Sequence, residues 1–124
     1  MSHILHKEKS YQIIGQCMEV HNNLGPGFLE IVYKDALEYE FTKAGIPFER
    51  EKKYEVNYKG QILPHNFYAD FVVFDEIILE VKGVKAISEE FIAQSLNYLK
   101  VSKNELALLV NFGELRLNYK RIVL

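Results

Sequence analysis

Phe67-Tyr68-Ala69-Asp70-Phe71-Val72-Val73-Phe74 and, two residues further on, Ile77-Ile78-Leu79-Glu80-Val81-Lys82 are the stretches whose reading decides the fold. Both are strand-length runs rich in aromatic and branched residues, and Asp75-Glu76 between them has the length of a tight hairpin turn. Their nearly unbroken apolar content is that of strands buried on both faces. Side chains alternate across a strand, so Ile78, Glu80 and Lys82 share one face and Ile77, Leu79 and Val81 the other. The hairpin then brings Asp70 close to Glu80 or Lys82. Burying such charges without partners costs several kcal/mol per ion, so something must compensate them.

Outward from this hairpin the periodicity changes. Ile13, Ile14, Cys17, Met18, Val20, His21 and Leu24 recur at three- and four-residue spacing, which predicts an amphipathic helix over Tyr11–Leu24, ended by Gly25-Pro26-Gly27. A second helix is expected from about Phe28 to Ala44, with Gly45 as its stop. Alternation returns at Phe48 and runs to Tyr58 as a long, partly exposed strand near an edge, and Lys59-Gly60 turns it into Gln61-Ile62-Leu63. Ser88-Glu89-Glu90 has the pattern of a helix start, and the helix continues through Leu99. Glu105–Asn111 reads as a buried strand, Phe112-Gly113-Glu114 as a turn and Leu115–Val123 as a final strand. The order ααβββαββ implies an α/β domain with a mixed sheet flanked by helices.

A chain of 124 residues, 48% apolar and 26% charged, suits one domain spanning residues 1–124 around one core. The single cysteine, Cys17, excludes an intrachain disulfide and a thiolate zinc site, and reads as a small buried apolar residue. No apolar run is long enough to span a bilayer and the first residues lack a secretory segment, so a cytoplasmic protein without membrane association is expected. A net charge of −2 argues against a surface wholly built for nucleic acid. A local basic groove remains open through Lys52-Lys53, Lys82 with Lys85, Lys100 with Lys103, and Arg116 to Arg121; scattered lysines also suit a solvated face.

For Asp70, Glu80 and Lys82 two readings stand side by side. One is an ion pair of Lys82 with Asp70 or Glu80 at a strand end. The other is a site for a hard divalent cation, Mg²⁺ or Mn²⁺, held by the carboxylates of Asp70 and Glu80 and the backbone carbonyl of Val81. Beside such a cation Lys82 can act as base or orient the attacking water, which is the chemistry of phosphodiester hydrolysis. His21 reads as a satisfied helix histidine, and His3, His6 and His65 as exposed polar residues.

Gly27-Phe28-Leu29-Glu30-Ile31-Val32-Tyr33 resembles the signature of the GxxExxY family of PD-(D/E)XK nuclease-like proteins. The resemblance extends through Ala69-Asp70, Ile78-Leu79-Glu80-Val81-Lys82, Ala93-Gln94-Ser95-Leu96-Asn97-Tyr98-Leu99 and Val110-Asn111-Phe112-Gly113, in order and over nearly the whole chain. It implies a restriction-endonuclease-like fold with Asp70 and Glu80 as metal ligands, Lys82 as the catalytic lysine, and Glu30 as a helix-borne acid reaching the same site, as a ligand to a second cation or through a water. Gln94 and Tyr98 resemble the Gln-x-x-x-Tyr element of the exonuclease-like branch. Four residues apart on one helix face, they are expected to hold a phosphate or the lysine. Tyr68 stands where relatives often carry Arg, and would stack on a base or donate its hydroxyl to substrate. Tyr33 is open between a packed helix tyrosine and a substrate contact.

The expectation is therefore a metal-dependent nuclease acting on DNA, less so RNA, with a homodimer plausible because two symmetric sites suit cleavage of a duplex. The competing expectation is a catalytically inactive module of the same fold that binds nucleic acid or a protein partner.

Overall fold

The computed structural model describes residues 4–124, so His3 lies outside the described residues. Helices α1 (Lys7–Leu24) and α2 (Glu30–Ala44) come first, followed by strands β1 (Phe48–Tyr58), β2 (Gln61–Val73) and β3 (Ile77–Lys82). Helix α3 (Glu89–Ser102) and strands β4 (Leu106–Asn111) and β5 (Asn118–Val123) complete the chain. The expected order ααβββαββ is the observed one.

The strands form one five-stranded mixed sheet in the order β1-β2-β3-β4-β5. Only β3 and β4 run parallel, because α3 carries the chain back between them; the other neighbours are antiparallel. One face carries Phe71, Val73, Ile77, Leu79, Val81, Leu106, Leu108 and Val110 against Ile13, Cys17, Tyr33, Leu37 and Phe41 of α1 and α2. The other carries Val72, Ile78, Ala107 and Leu109 against α3 through Leu99. Since β3 and β4 are covered on both sides, their continuous apolar character has its cause in a double layer of helices rather than in a solvated sheet. Cys17 is fully buried and free, and burial drives its thiol pKa strongly upward, so it behaves as an apolar residue.

Element ends differ from the sequence reading where side chains intervene. Helix α1 begins at Lys7, earlier than Tyr11. Helix α2 begins at Glu30, not Phe28: the Tyr33 hydroxyl accepts the Phe28 N–H (3.2 Å) and donates to the Gly25 carbonyl (2.6 Å), keeping Phe28 and Leu29 outside the helix. Strand β2 is continuous through Pro64, because the β1–β2 ladder shifts register between Glu55 and Asn57 and leaves residues 63–65 unpaired. The β2–β3 turn takes three residues, with Phe74 and Asp75 both at positive φ (56° and 59°), as this tight turn requires. Strand β5 begins at Asn118 rather than Leu115, since the Glu114 carboxylate accepts from the side chains of both Asn111 and Asn118 and holds a wider turn. His6 is partly buried, not exposed, and lies 3.4 Å from Glu76.

Candidate metal and catalytic centre

Asp70 lies where β2 parts from β3 and skips one position in its ladder with β1. The β2–β3 ladder runs only over Phe71–Val73, and the β1–β2 ladder pairs Arg50 with Phe71 and Lys52 with Ala69 but skips Glu51 and Asp70. Ala69 faces the α3 core and Phe71 the α1/α2 core, although strict alternation would put residues two apart on one face. The strand therefore changes face at Asp70.

Side chains fill the gap that this break opens. The Asp70 N–H donates to Glu80 Oε2 (3.0 Å), and the Val81 N–H donates to Asp70 Oδ2 (2.8 Å). Two carboxylates are thus locked next to one another across the hairpin. Glu80 is 6% exposed, and its carboxyl pKa is pushed up to about 9, first by burial and then by the charge of Asp70; the Lys82 ammonium pulls weakly the other way.

The residue that neutralises Asp70 is one the sequence reading missed. Lys34, on α2, donates from Nζ to Asp70 Oδ1 (3.0 Å) and also to Glu51 on β1. Burial works against its charge, but the hydrogen bonds and charges of Glu51 and Asp70 outweigh burial and raise its pKa above the usual lysine value. Its sequence signal was its place one helical turn after Glu30 on α2. Only the tertiary packing of α2 beside β1 and β2 turns that into a contact.

Lys82 forms none of the ion pairs among the described residues, so the strand-end ion-pair reading does not hold. Its Nζ lies 4.5 Å from the centre of the Phe91 ring and 3.5 Å from Gln94 Oε1, both on α3. Tyr98, one turn beyond Gln94, donates its hydroxyl to the Tyr68 carbonyl (2.8 Å). Burial, then the charges of Glu80, Asp70 and Glu51, push the Tyr98 hydroxyl up to about 12, so it remains a donor at neutral pH. The Tyr68 side chain is half exposed.

Glu30 and Tyr33 serve the surrounding loops. Glu30 Oε2 accepts the Gly83 N–H (2.9 Å), directly after Lys82, and among the described residues no group of three or more His, Cys, Asp or Glu side chains converges. Tyr33 is fully buried, its ring stacks on Phe112 (4.7 Å between centroids), and its hydroxyl is committed to the Gly25 turn. It presents no surface to a substrate, which corrects the substrate-contact reading in favour of the packed one. His21 is buried with a ring nitrogen 2.8 Å from the Glu114 carbonyl, the satisfied histidine expected.

The Val110-Asn111-Phe112-Gly113 motif has a structural explanation as well. Asn111 Oδ1 accepts from the Val84 and Gly113 N–H groups (both 3.0 Å), and its Nδ2 donates to the Val84 carbonyl (2.9 Å). A side chain at Gly113 would stand 2.2 Å from that carbonyl. Together with Glu30, these residues clamp the Gly83-Val84 loop and thereby the end of the Lys82 strand.

A hard divalent cation fits the Asp70–Glu80 pair. Mg²⁺ is commonly held by one or two carboxylates, the remaining positions going to water and phosphate, so two acids suffice. The two crowded carboxylates are a donor set whose mutual repulsion a cation relieves. The N–H and C=O of one strand residue point to the same edge, so the Val81 carbonyl faces β2 as its N–H does.

A sequence profile of the PD-(D/E)XK nuclease superfamily matches residues 7–122. The chain belongs to the PD-(D/E)XK nuclease superfamily. Nucleases of this superfamily generally use divalent metal ions. The fold is also similar to the crystal structure of SSO0001, with a TM-score of 0.60 and 20% identity over 74% of this chain. The match takes in 49% of that protein, so this chain corresponds to about half its length. No curated protein gives a significant match. Among the described residues, no helix is long and apolar enough to cross a membrane.

Proposed function

We infer that this PD-(D/E)XK superfamily member is a Mg²⁺- or Mn²⁺-dependent nuclease of the GxxExxY type that hydrolyses phosphodiester bonds, with DNA preferred over RNA. The observation that carries the reading is the Asp70–Glu80 pair locked across a gap in the sheet, with Lys82 on the same strand face as Glu80.

Asp70 and Glu80, with the Val81 carbonyl, would hold the cation. When bound, a divalent cation makes its water easier to deprotonate and offsets the charge gathering on the phosphate. Lys82 takes the role of base, or orients the attacking water, from a position steadied by Gln94 Oε1 and the Phe91 face. Glu30 keeps the end of the Lys82 strand in place through Gly83. Tyr68 offers a half-exposed ring for a base to stack on, and Tyr98 holds the Tyr68 backbone through its carbonyl. A homodimer would present two such sites to the two strands of a duplex.

The test combines MnCl₂-dependent melting with cleavage of single-stranded, duplex and branched DNA and of RNA. Mn²⁺ should raise the melting temperature of the wild type. Folded Asp70→Ala should lose that shift, and folded Lys82→Ala should keep it while losing cleavage. Cleavage that survives in both variants overturns the reading. Nucleic-acid binding without cleavage in the wild type favours the inactive-module reading instead.

A further inference from the structure

Lys34 is an unusual neighbour for a cation site. Its side chain is only 12% exposed and bridges two carboxylates on different strands, Asp70 on β2 and Glu51 on β1. Glu51 holds a left-handed backbone conformation (φ 55°) inside a strand, a strained choice for a residue other than glycine. It sits where β1 and β2 fail to pair, opposite Asp70. A left-handed residue takes its side chain out of strand alternation, and here that side chain meets Lys34. Strain, ladder break and ion pair thus coincide at one point, beside the acid expected to hold the metal.

We propose that Lys34 is a built-in counter-ion of Asp70, and that loading of a divalent cation is an exchange in which Lys34 leaves Asp70 and is retained by Glu51. The proposal rests on the metal-site reading above. Lys34 is a positioning residue: it fixes one Asp70 oxygen while the Val81 N–H fixes the other. A cation that claims Oδ1 must displace an ammonium already bonded there. Glu51 lowers the cost of that displacement by offering the ammonium a second carboxylate. The pair therefore sets the cation concentration at which the site fills.

Calorimetric titration of MnCl₂ into the wild type, Lys34→Met, Glu51→Gln and the double variant, at one pH and salt concentration, tests the exchange. Removing a partly buried competitor should tighten the Kd of Lys34→Met by roughly fivefold. Glu51→Gln should weaken it, because Lys34 then has Asp70 alone. In the Lys34→Met background Glu51→Gln should change nothing, since its effect passes through Lys34. Additive effects, the mark of general electrostatics, overturn the exchange, as do unchanged affinities in both single variants when the wild type binds; the metal site itself then stands. Absence of binding in all four proteins overturns both. Should Lys34→Met fail to fold, Lys34→Arg replaces it: a guanidinium gripping both carboxylates should weaken Mn²⁺ binding, and an affinity equal to wild type overturns the exchange.

Discussion

Asp70 and Glu80 hold one another through backbone groups: the Asp70 N–H is bonded to the Glu80 carboxylate, while the Asp70 carboxylate is bonded to the N–H that follows Glu80. Each acid occupies a place in the ladder that a backbone carbonyl would ordinarily fill. Two consequences follow from one geometry. The acids are rigid, and their charges are close enough to oppose one another.

Burial of Glu80, reinforced by that opposition, makes metal-free stability fall with pH. The Glu80 pKa is raised from 4.5 to about 9 in the folded protein, so the native state keeps a proton that the unfolded chain releases. The stabilising contribution is complete below about pH 4.5 and is lost as the pH rises through about 9. In EDTA the urea midpoint should decline from pH 5 to pH 9, and Glu80→Gln should flatten the decline. An equal slope in the variant contradicts the assignment.

Cation binding near neutral pH should in turn expel close to one proton from Glu80, since a ligating carboxylate must be ionised. Titration of MnCl₂ at pH 7 in two buffers of different ionisation enthalpy reads this directly. Heats that do not depend on the buffer would show that Glu80 is already ionised.

Lys82 depends on α3 for its orientation. Gln94 is exposed and contributes little packing, so Gln94→Ala should leave melting unchanged while lowering kcat by on the order of tenfold through a less well held lysine. Single-turnover cleavage separates this from weakened substrate binding. A loss confined to KM would instead make Gln94 a phosphate contact.

The clamp on the Gly83-Val84 loop should be felt in stability. Asn111→Ala leaves the Val84 N–H and C=O without their partner and should cost about 1–3 kcal/mol in urea unfolding. Gly113→Ala forces a Cβ against the Val84 backbone and should cost about 1–3 kcal/mol through overpacking. Either variant at wild-type stability would mean that the loop is free to move away.

Tyr33→Phe removes a fully buried hydroxyl serving both Gly25 and Phe28, and about 1–3 kcal/mol of stability should go with it. Affinity for nucleic acid, measured on the folded fraction, should be unaltered. A selective loss of binding would restore Tyr33 as a substrate contact.

Local pattern alone determined much of this protein. The apolar runs around Asp70 and Glu80, the spacing of Ile13, Cys17 and Val20, and the Ser88 start of α3 specify elements because periodicity and capping act over a few residues. The adjacency of Asp70 and Glu80 was legible for the same reason, since a short hairpin fixes which residues meet. Tertiary structure alone decided the rest. Lys34 reaches Asp70 across 36 residues and Glu30 reaches Gly83 across 53, separations at which no periodicity carries information. The face change at Asp70 was equally hidden, because it arises from the unpaired Glu51 and the lost ladder rather than from any residue's own preference. The fate of Lys82, held by Phe91 and Gln94 instead of by a carboxylate, was settled by where the crossover helix lands on the sheet.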